Sequence, residues 1–337
     1  MRRLAMAALI LAASCAPTLA GPFKKEQVPD SAGWVAHVDV QALLASQVGK
    51  FALEEVRKQE AFNAGLAFLQ QAFGFNPLMD LRGVTVYGQR LGDDVGVVIL
   101  DALLSQEKIL PALQANETYK STEFGKHTLH QWNDAPKPVR DKDSGEITSY
   151  VPGRRQVGCF YDNNTVVIGN SINAVQKALD VMDGKGGNMA NKPLAGLGES
   201  PKGTFIVAAA GAIELPGKDT GKPEATIFRQ IVSVSLQAGE TDGKLFVDLA
   251  GTIKTAERAV KVGQIIQGLV AFGQVMMEER PDIPALGEKV DVTASGTTVR
   301  VKAVAPSDSV SKLARFFLGQ GQAPPGTKPA PAAGTEK

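Results

Sequence analysis

The residues best suited to chemistry in this chain are its three histidines, His37, His127 and His130. His127 and His130 fall on one predicted strand, where their odd spacing places them on opposite faces, so they cannot share a metal ion. His37 and Asp39 share a face of another predicted strand, as a general base and its orienting carboxylate would. A solvent-facing polar pair is the commoner origin of that pattern, and we expect one here.

Catalytic sequence motifs are incomplete or missing. Two matches to S-x-x-K, Ser105–Lys108 and Ser309–Lys312, lack the S-D-N and K-T-G companions found in penicillin-binding enzymes. The sequence also lacks the G-x-S-x-G motif of hydrolases, the P-loop pattern, and the spacings typical of zinc and calcium sites. We therefore predict no catalytic residue, no cofactor-binding residue and no metal ligand, and hence a protein that is not an enzyme and has no cofactor.

Cysteine is rare, with only Cys15 and Cys159. Cys159 lies in an apolar predicted strand, so we expect it to be buried and inert; a reactive thiol would need exposure and a nearby base. If Cys15 is removed with a signal peptide, no internal disulfide can form. Stability must then come from an apolar core, which a chain of 337 residues is long enough to build.

The amino terminus has the features of an export signal. Basic residues in Met1–Arg3 precede an uncharged run from Leu4 to Phe23, whose apolar part is too short to span a membrane. Small residues before Gly21 fit a signal-peptidase site, so residues 1–20 are predicted to be a signal peptide. The alternative is lipoprotein processing, with Cys15 as a lipid anchor. The protein is predicted to be periplasmic or extracellular in the first case and membrane-anchored in the second, with no transmembrane segment in either.

The charge balance argues against a nucleic-acid partner. The chain has 36 basic and 35 acidic residues, and loss of Arg2 and Arg3 with the signal leaves 34 basic residues. A protein this close to neutral is not a general binder of polyanions. Basic residues cluster within 137–155, but acidic residues are interleaved with them, so this segment is interpreted as a solvated loop.

Alternating apolar residues and turn residues predict hairpins separated by helices. In the first half the predicted elements are a strand at 34–40, a helical region at 41–73, a hairpin within 82–100, a helix at 105–115, a hairpin within 119–132, strands within 156–169 and a helix at 171–182. In the second half they are a strand at 204–209, a helix near 223–231, a hairpin at 232–253, a helix at 255–279, a hairpin at 289–304 and a helix at 307–318. This pattern predicts an α+β protein.

The order of these elements repeats, which predicts two tandem related units of antiparallel hairpins packed by helices. The predicted segments are a signal peptide (1–20), a flexible lead (21–32), a first α+β unit (33–183) with an inserted loop (133–154), a linker (184–202), a second α+β unit (203–318) and a disordered tail (319–337). The tail is rich in Gly, Pro and Ala, a composition that cannot build a core. The pattern leaves open whether the units share one sheet.

Two predicted helices carry long uncharged runs, Ala61–Met79 and Val262–Met277. Helices of this kind are most often core helices, and that is the interpretation we favour. The alternative is that they border a groove for a lipid or an apolar peptide between the two units, where methionine is an adaptable lining residue. The candidate ligand-binding residues are Ile266, Leu269, Val270, Met276 and Met277.

Two segments carry a family resemblance, FGFNPLMDLRGVTVYG (Phe73–Gly88) and TVVIGNSINAVQKALDVMDGKG (Thr165–Gly186). Together with the export signal and the strand containing Trp34, they resemble uncharacterised secreted bacterial proteins of unknown function. In those proteins a helix leads through an Asn/Asp-Pro-Leu-x-Asp-Leu turn into a strand. The resemblance brings no catalytic residues and implies an envelope or extracellular location.

These features together predict a secreted, non-enzymatic binding or cell-envelope protein with an unknown envelope or extracellular partner. The alternative function is that of a carrier for a lipid or apolar ligand in a groove between the two units.

Overall fold

The computed structural model describes residues 21–91, 95–141, 144–211, 230–279 and 289–320. The strands are β1 (Trp34–Asp39), β2 (Leu81–Gly88), β3 (Gly96–Ala102), β4 (Lys120–Phe124), β5 (His127–Asn133), β6 (Lys137–Arg140), β7 (Ile147–Val151), β8 (Arg155–Asp162), β9 (Thr165–Gly169), β10 (Thr204–Gly211), β11 (Ile231–Thr241), β12 (Lys244–Ile253), β13 (Lys289–Ser295) and β14 (Thr298–Pro306). The α-helices are α1 (Val40–Ala45), α2 (Gln47–Val56), α3 (Glu60–Phe73), α4 (Pro77–Asp80), α5 (Gln106–Gln114), α6 (Ile172–Met182), α7 (Ala256–Glu278) and α8 (Ser307–Gln320), and a 3-10 turn spans Lys25–Gln27. The predicted signal peptide and most of the predicted tail lie outside the described residues. So does the predicted helix near 223–231, except for its last two residues, of which Ile231 begins β11.

Twelve strands form one antiparallel sheet in the order β13-β14-β12-β11-β10-β1-β2-β3-β9-β8-β5-β4. The predicted α+β class is confirmed. The two halves meet where β1 pairs with β10, with Ala36 opposite Ala208, so one sheet runs through both. Each half uses the same strand order, β1-β2-β3-β9-β8 in the first and β10-β11-β12-β14-β13 in the second. Shared order is what a duplication would produce, and the duplication itself stays a prediction.

The β11–β12 hairpin shows how local sequence sets this topology. Thr241 pairs with Lys244 across a two-residue turn. Asp242 and Gly243 both have positive φ, 50° and 69°. A two-residue turn of this type requires positive φ at both central positions, and Asp-Gly is among the pairs that best tolerate it. The hairpin predicted at 232–253 is therefore confirmed.

One face of the sheet, called the packed face here, holds the main core. On it lie Val35, Val207, Ile99, Val167 and Cys159, all of them buried. The side chains that cover this face come from α6 and from irregular segments. They include Val28, Val175, Leu179, Met189 and Leu197.

Two segments of that cover differ from the sequence prediction. Residues 21–32 were predicted to be a flexible lead, but Val28 has no exposed surface and lies in the core. Residues 184–202 were predicted to be a linker, but Met189 and Leu197 are buried against the sheet. Single apolar residues in segments rich in Gly, Pro and Lys have no periodicity, so the pattern gave no sign of their burial.

Two further predictions were too simple. Segment 133–154 was predicted to be a loop, but it contains a separate two-stranded sheet of β6 and β7, whose side chains are exposed as expected. The single helical region predicted at 41–73 is three helices. Asp39 caps α1 by accepting the N–H of Ala42, and Ser46 caps α2 by accepting the N–H of Gly49.

Candidate functional site

A row of paired residues crosses ten strands on the side opposite the packed face. From β13 to β8 the row consists of Val292, Val301, Leu249, Leu236, Ala208, Ala36, Val86, Val98, Ile168 and Gly158. No member has a polar side chain. Because neighbouring strands lie about 4.8 Å apart, the row extends for about 43 Å. We call this side of the sheet the apolar face.

The side chains of this row are only partly covered. Leu249 is 38% exposed, and the residues from Val292 to Ile168 are half-buried or exposed. On the packed face of β1, by contrast, Val35, His37 and Asp39 are 1%, 4% and 3% exposed. The two faces of one strand therefore have very different cover.

The packed face also carries more polar residues. His37 is opposite Thr85 on one side and Val207 on the other, and Val207 is opposite Gln237. His37, Thr85 and Gln237 are all buried. In soluble antiparallel sheets the apolar side chains normally lie on the covered face and the polar ones on the solvated face. A large apolar surface left partly exposed is characteristic of a binding site.

The first half of α7 covers one edge of the apolar face. Val262 and Ile266 pack against Ile253 and Val299. Gly263 lies so close to the sheet that a Cβ there would be 3.3 Å from the Cβ of Ala294. A glycine at this position permits the close approach of helix and strand.

The second half of α7 is largely uncovered. Ile265, Leu269, Phe272 and Met276 recur at helical spacing and are 45%, 64%, 64% and 46% exposed. We call this set the α7 stripe. The core interpretation is wrong for this half of the helix. Within the described ranges, the segment Ala256–Met276 has the length and composition of a membrane-spanning helix, and only 17% of its tested window is buried.

Helix α3, the other uncharged helix, is exposed as well. It has no buried residue, and Phe68 is 62% exposed. Its half-buried residues are Phe62, Leu66, Leu69 and Phe73, which helical spacing places on one face. The helix therefore has an inner face, but the core interpretation is wrong for it.

The candidate ligand-binding residues of α7 differ in how far they are covered. Ile266 is half-buried on the sheet side, and Val270 lies four residues later on the same side of the helix. Leu269 and Met276 belong to the exposed α7 stripe. The side chain of Met277 lies outside the described residues.

Sequence reasoning missed the apolar face as a candidate site. The sequence shows alternation in β1, where Ala36 and Val38 flank His37, and in β11, where Val234 and Leu236 alternate with serines. Alternation identifies two faces but not which one is covered. The signal that could have indicated the site is that one side of every central strand is uniformly apolar.

His37 and Asp39 share a face, as predicted, but they are buried rather than solvent-facing. The Nδ1 of His37 is 2.9 Å from the Thr85 hydroxyl, and the Asp39 carboxylate accepts the N–H of Ala42 at 2.9 Å. Burial lowers the pKa of His37, which favours the neutral imidazole. The two side chains thus have separate partners in the described structure, and their contacts explain them as structural residues.

His127 and His130 lie on opposite sides of β5, as predicted, and both are buried. The Nε2 of His127 is 3.1 Å from the Asp183 carboxylate, which also binds Lys126 at 3.1 Å and Lys185 at 3.3 Å. Burial would raise the pKa of Asp183, but hydrogen bonds from Lys126, His127 and Lys185 outweigh it and lower the pKa. The cluster fixes the β4–β5 hairpin to the end of α6. No group of three His, Cys, Asp or Glu side chains in the described ranges could hold a metal ion.

Cys159 is 1% exposed, as predicted. Burial raises the pKa of its thiol to about 11, so the sulfur stays protonated and unreactive at neutral pH.

The architecture defines an α+β protein built on one large antiparallel sheet. No protein family model matches the chain, and no curated protein matches it. Among solved structures it is similar to crystal forms III and IV of TP0453, each with a TM-score of 0.42 and 7% identity over 87% of this chain and 98% or 97% of that one. Crystal form I of TP0453 gives a TM-score of 0.41 and 8% identity over 88% of this chain and 97% of that one. Similarity this distant carries no argument about function.

Proposed function

We propose that this chain is a non-enzymatic, exported binding protein of the cell envelope that holds the hydrocarbon chain of a lipid on its apolar face. One observation carries the proposal: the row from Val292 to Ile168 is entirely apolar and only partly covered. The export signal and the absence of catalytic motifs in the sequence support the exported and non-enzymatic parts of the proposal.

The chemistry of the apolar face favours hydrocarbon over a protein partner. Protein interfaces combine apolar contacts with several hydrogen bonds, on average about one per 100–200 Å². The row from Val292 to Ile168 offers no side chain that can donate or accept one. A peptide lying there would have backbone groups left unpaired at a cost in free energy, whereas a hydrocarbon chain has no such groups.

The site lies at the junction of the two halves, because Ala36 of β1 and Ala208 of β10 occupy the middle of the row. A carrier groove between the two predicted units would also lie at their junction. The proposed site differs from that predicted groove, because it is the surface of one continuous sheet and not a gap between two units. The candidate residues of α7 lie at the border of this surface. The side-chain layer is thinnest at the two central alanines, because larger Val and Leu side chains flank them. The apolar face is therefore indented at its centre.

Chain length gives a quantitative expectation. Each methylene moved from water to an apolar surface contributes about 0.8 kcal/mol. Affinity should therefore rise by roughly fourfold for each added methylene until the chain exceeds the surface. A protein that recognises only a headgroup would show no such dependence.

The direct test is titration of residues 21–337 with cis-parinaric acid, whose fluorescence rises in apolar surroundings. Ala208→Asp places a carboxylate at the centre of the row and should weaken binding at least tenfold, because the charge must be desolvated when the ligand is bound. The matched control is Thr293→Asp, an exposed position on β13 that points to the other side of the sheet. Equal affinity in folded Ala208→Asp and in the unsubstituted protein would refute the proposal.

A further inference from the structure

Helix α7 separates from the rest of the protein partway along its length. Its first half packs on the sheet, with Val262 and Ile266 against Ile253 and Val299. From Ala271 to Met276, by contrast, every side chain is exposed, whichever side of the helix it occupies. The α7 stripe continues through this uncovered part. Exposed apolar side chains that form one continuous patch mark an interaction surface.

The composition of α7 indicates what covers this surface. No residue from Val262 to Met277 is charged, and Ala256–Met276 has the length and composition of a membrane helix. Core helices and export signals share that composition, but most of α7 is exposed and it lies far from the amino terminus. The stripe also lacks the hydrogen-bonding side chains that protein interfaces use. A lipid bilayer is the environment that suits such a helix.

The packing of the first half determines how α7 meets a bilayer. A Cβ at Gly263 would be 3.3 Å from the Cβ of Ala294, so this part of the helix is held closely against β13. A spanning helix needs about 20 residues within the hydrocarbon core, and α7 cannot supply them while it packs on the sheet. It can instead lie in the plane of the interface with one side immersed, as amphipathic surface helices do.

The stripe faces away from the sheet, as this orientation requires. Helical spacing places Gln267 and Gln274 on the side of α7 opposite the stripe. The amide of Gln267 donates to the carbonyl of Val292 at 3.1 Å, which fixes that side of the helix to β13. The side chains of the stripe are therefore free to enter a bilayer.

The charged end of α7 suits the headgroup layer. Lys261 lies four residues before Ile265 and continues the stripe toward the start of the helix. Its ammonium is exposed and binds Glu257 at 2.7 Å. A lysine stem can lie along apolar surroundings while its charge stays in water. Because the charge of Lys261 is already balanced by Glu257, attraction to a membrane must come mainly from the apolar side chains.

We propose that the α7 stripe inserts into the surface of a lipid bilayer, with α7 parallel to the membrane plane. The inference does not rest on hydrocarbon binding by the apolar face, because it uses none of the residues of the central row. If both proposals hold, the docked helix places the border of the apolar face beside a source of hydrocarbon chains.

The first test is flotation of residues 21–337 with vesicles of neutral phosphatidylcholine in a density gradient. The protein should float with the vesicles, and neither anionic lipid nor added salt should change the bound fraction much. Leu269→Asp should weaken binding at least about tenfold, because a carboxylate must leave water. Leu269 is 64% exposed, so this variant should keep the circular dichroism of the unsubstituted protein.

The matched control is Phe68→Asp, which places the same charge on α3 at a position that is 62% exposed. Helix α3 has only 14 residues and lies outside the proposed surface. Phe68→Asp should therefore float as the unsubstituted protein does.

The second test measures depth with a fluorophore attached to Phe272→Cys or, as the control, to Gln274→Cys on the opposite side of α7. Cys159 is buried and does not compete for the label. Lipids brominated on the acyl chain should quench the label at 272 strongly and the label at 274 weakly. Equal quenching at the two positions would contradict the parallel orientation.

The two proposals can fail separately. Ala208→Asp should float normally, and Leu269→Asp should bind cis-parinaric acid normally. Membrane docking is overturned if the unsubstituted protein does not float, or if Leu269→Asp floats as well as Phe68→Asp. A dimer in sedimentation velocity that Leu269→Asp dissociates, without flotation, would assign the stripe to a second copy of this chain instead.

Discussion

The two sides of β1 illustrate a contrast that extends across the sheet. Val35, His37 and Asp39 point to the packed face, while Ala36 and Val38 point to the apolar face. The packed face includes an imidazole and a carboxylate and is buried. The apolar face has no polar side chain in its central row from Val292 to Ile168, and those residues are half-buried or exposed; beyond Gly158 the row continues to the buried His130 on β5. Burial in this molecule therefore does not follow side-chain hydropathy.

Burial of each face depends on which other segments of the protein pack against it. The packed face is covered by α6 and by irregular segments that supply Val28, Met189 and Leu197. Several of its buried polar groups have partners, as most buried polar groups do. Asp39 caps α1, for example, and Asp101 binds Lys24 at 2.8 Å. The packed face thus specifies the fold, which leaves the apolar face available for binding.

The largest expected effect comes from a charge placed on either face of the same strand. Val207→Asp, on the packed face of β10, should prevent folding, because it buries an unpaired carboxylate at a cost above about 4 kcal/mol. Ala208→Asp, on the adjacent residue, should fold with a loss below about 1.5 kcal/mol, because water reaches the site. Circular dichroism and thermal unfolding of the two variants measure this. Equal destabilisation would contradict the contrast between the faces.

Much of the fold could be predicted from the sequence because its signals are local. The Asp242-Gly243 turn, the alternation in β11 and β12, and the start of α7 near Thr255 all depend on neighbouring residues, and all are observed. The shared order of the halves also follows from those elements. The pairing of β1 with β10 could not be predicted, because it joins residues far apart in the chain and has no local signature.

The candidate site was less predictable for a physical reason. The segment Val262–Met277 is unusually apolar. The core interpretation assumed that a helix of this kind must be covered. Hydropathy measures the free energy of removing a side chain from water; it does not say whether another part of the chain is there to remove it. Leu269 lies in an apolar helix and is exposed, whereas Val28 lies in a polar segment and is buried. In both cases the hydropathy of the segment does not predict whether the side chain is covered.

A second comparison uses the same substitution on both faces of β1. Val35→Ala should reduce the free energy of unfolding by about 2 kcal/mol, because two buried methyl groups are lost and a cavity remains. Val38→Ala should reduce it by less than about 1 kcal/mol, because this side chain is already half-exposed. Urea unfolding with a common m-value provides the measurement. Similar losses in the two variants would mean that the apolar face is covered as fully as the packed face.

A third prediction concerns the ion-pair cluster around the buried carboxylate of Asp183. The pKa of Asp183 is lowered in the folded protein, so its stabilising contribution is complete above the unfolded pKa of about 3.9 and is lost as pH falls through the folded value. Asp183→Asn should therefore cost about 1–2 kcal/mol at pH 7 and show a weaker loss of stability on acidification. Asp180→Asn is the control, because this more exposed carboxylate has only a 3.7 Å contact with Lys185. Its loss should stay below about 0.5 kcal/mol. Parallel pH profiles for Asp183→Asn and the unsubstituted protein would argue against a contribution from the cluster.

The smallest expected effect is the titration of His37. Burial lowers its folded pKa, although the carbonyl of Gly21 and the carboxylates of Asp39 and Asp101 oppose the change. The unfolded chain takes up a proton first as pH falls below about 6.5, so the folded state is destabilised progressively below that value. Stability should therefore decrease between pH 7 and pH 5 on this account.

His37→Gln should remove part of that decrease while retaining an amide able to bond the Thr85 hydroxyl. His130→Gln serves as the comparison, because burial also lowers the pKa of His130. His130 pairs with Gly158 and therefore lies on the side of the sheet opposite His37. If each variant flattens the profile and the double variant flattens it further, both sides of the sheet contain a neutral buried imidazole. An unchanged slope in His37→Gln would mean that water reaches the packed face at His37, which would remove one of the differences between the two faces.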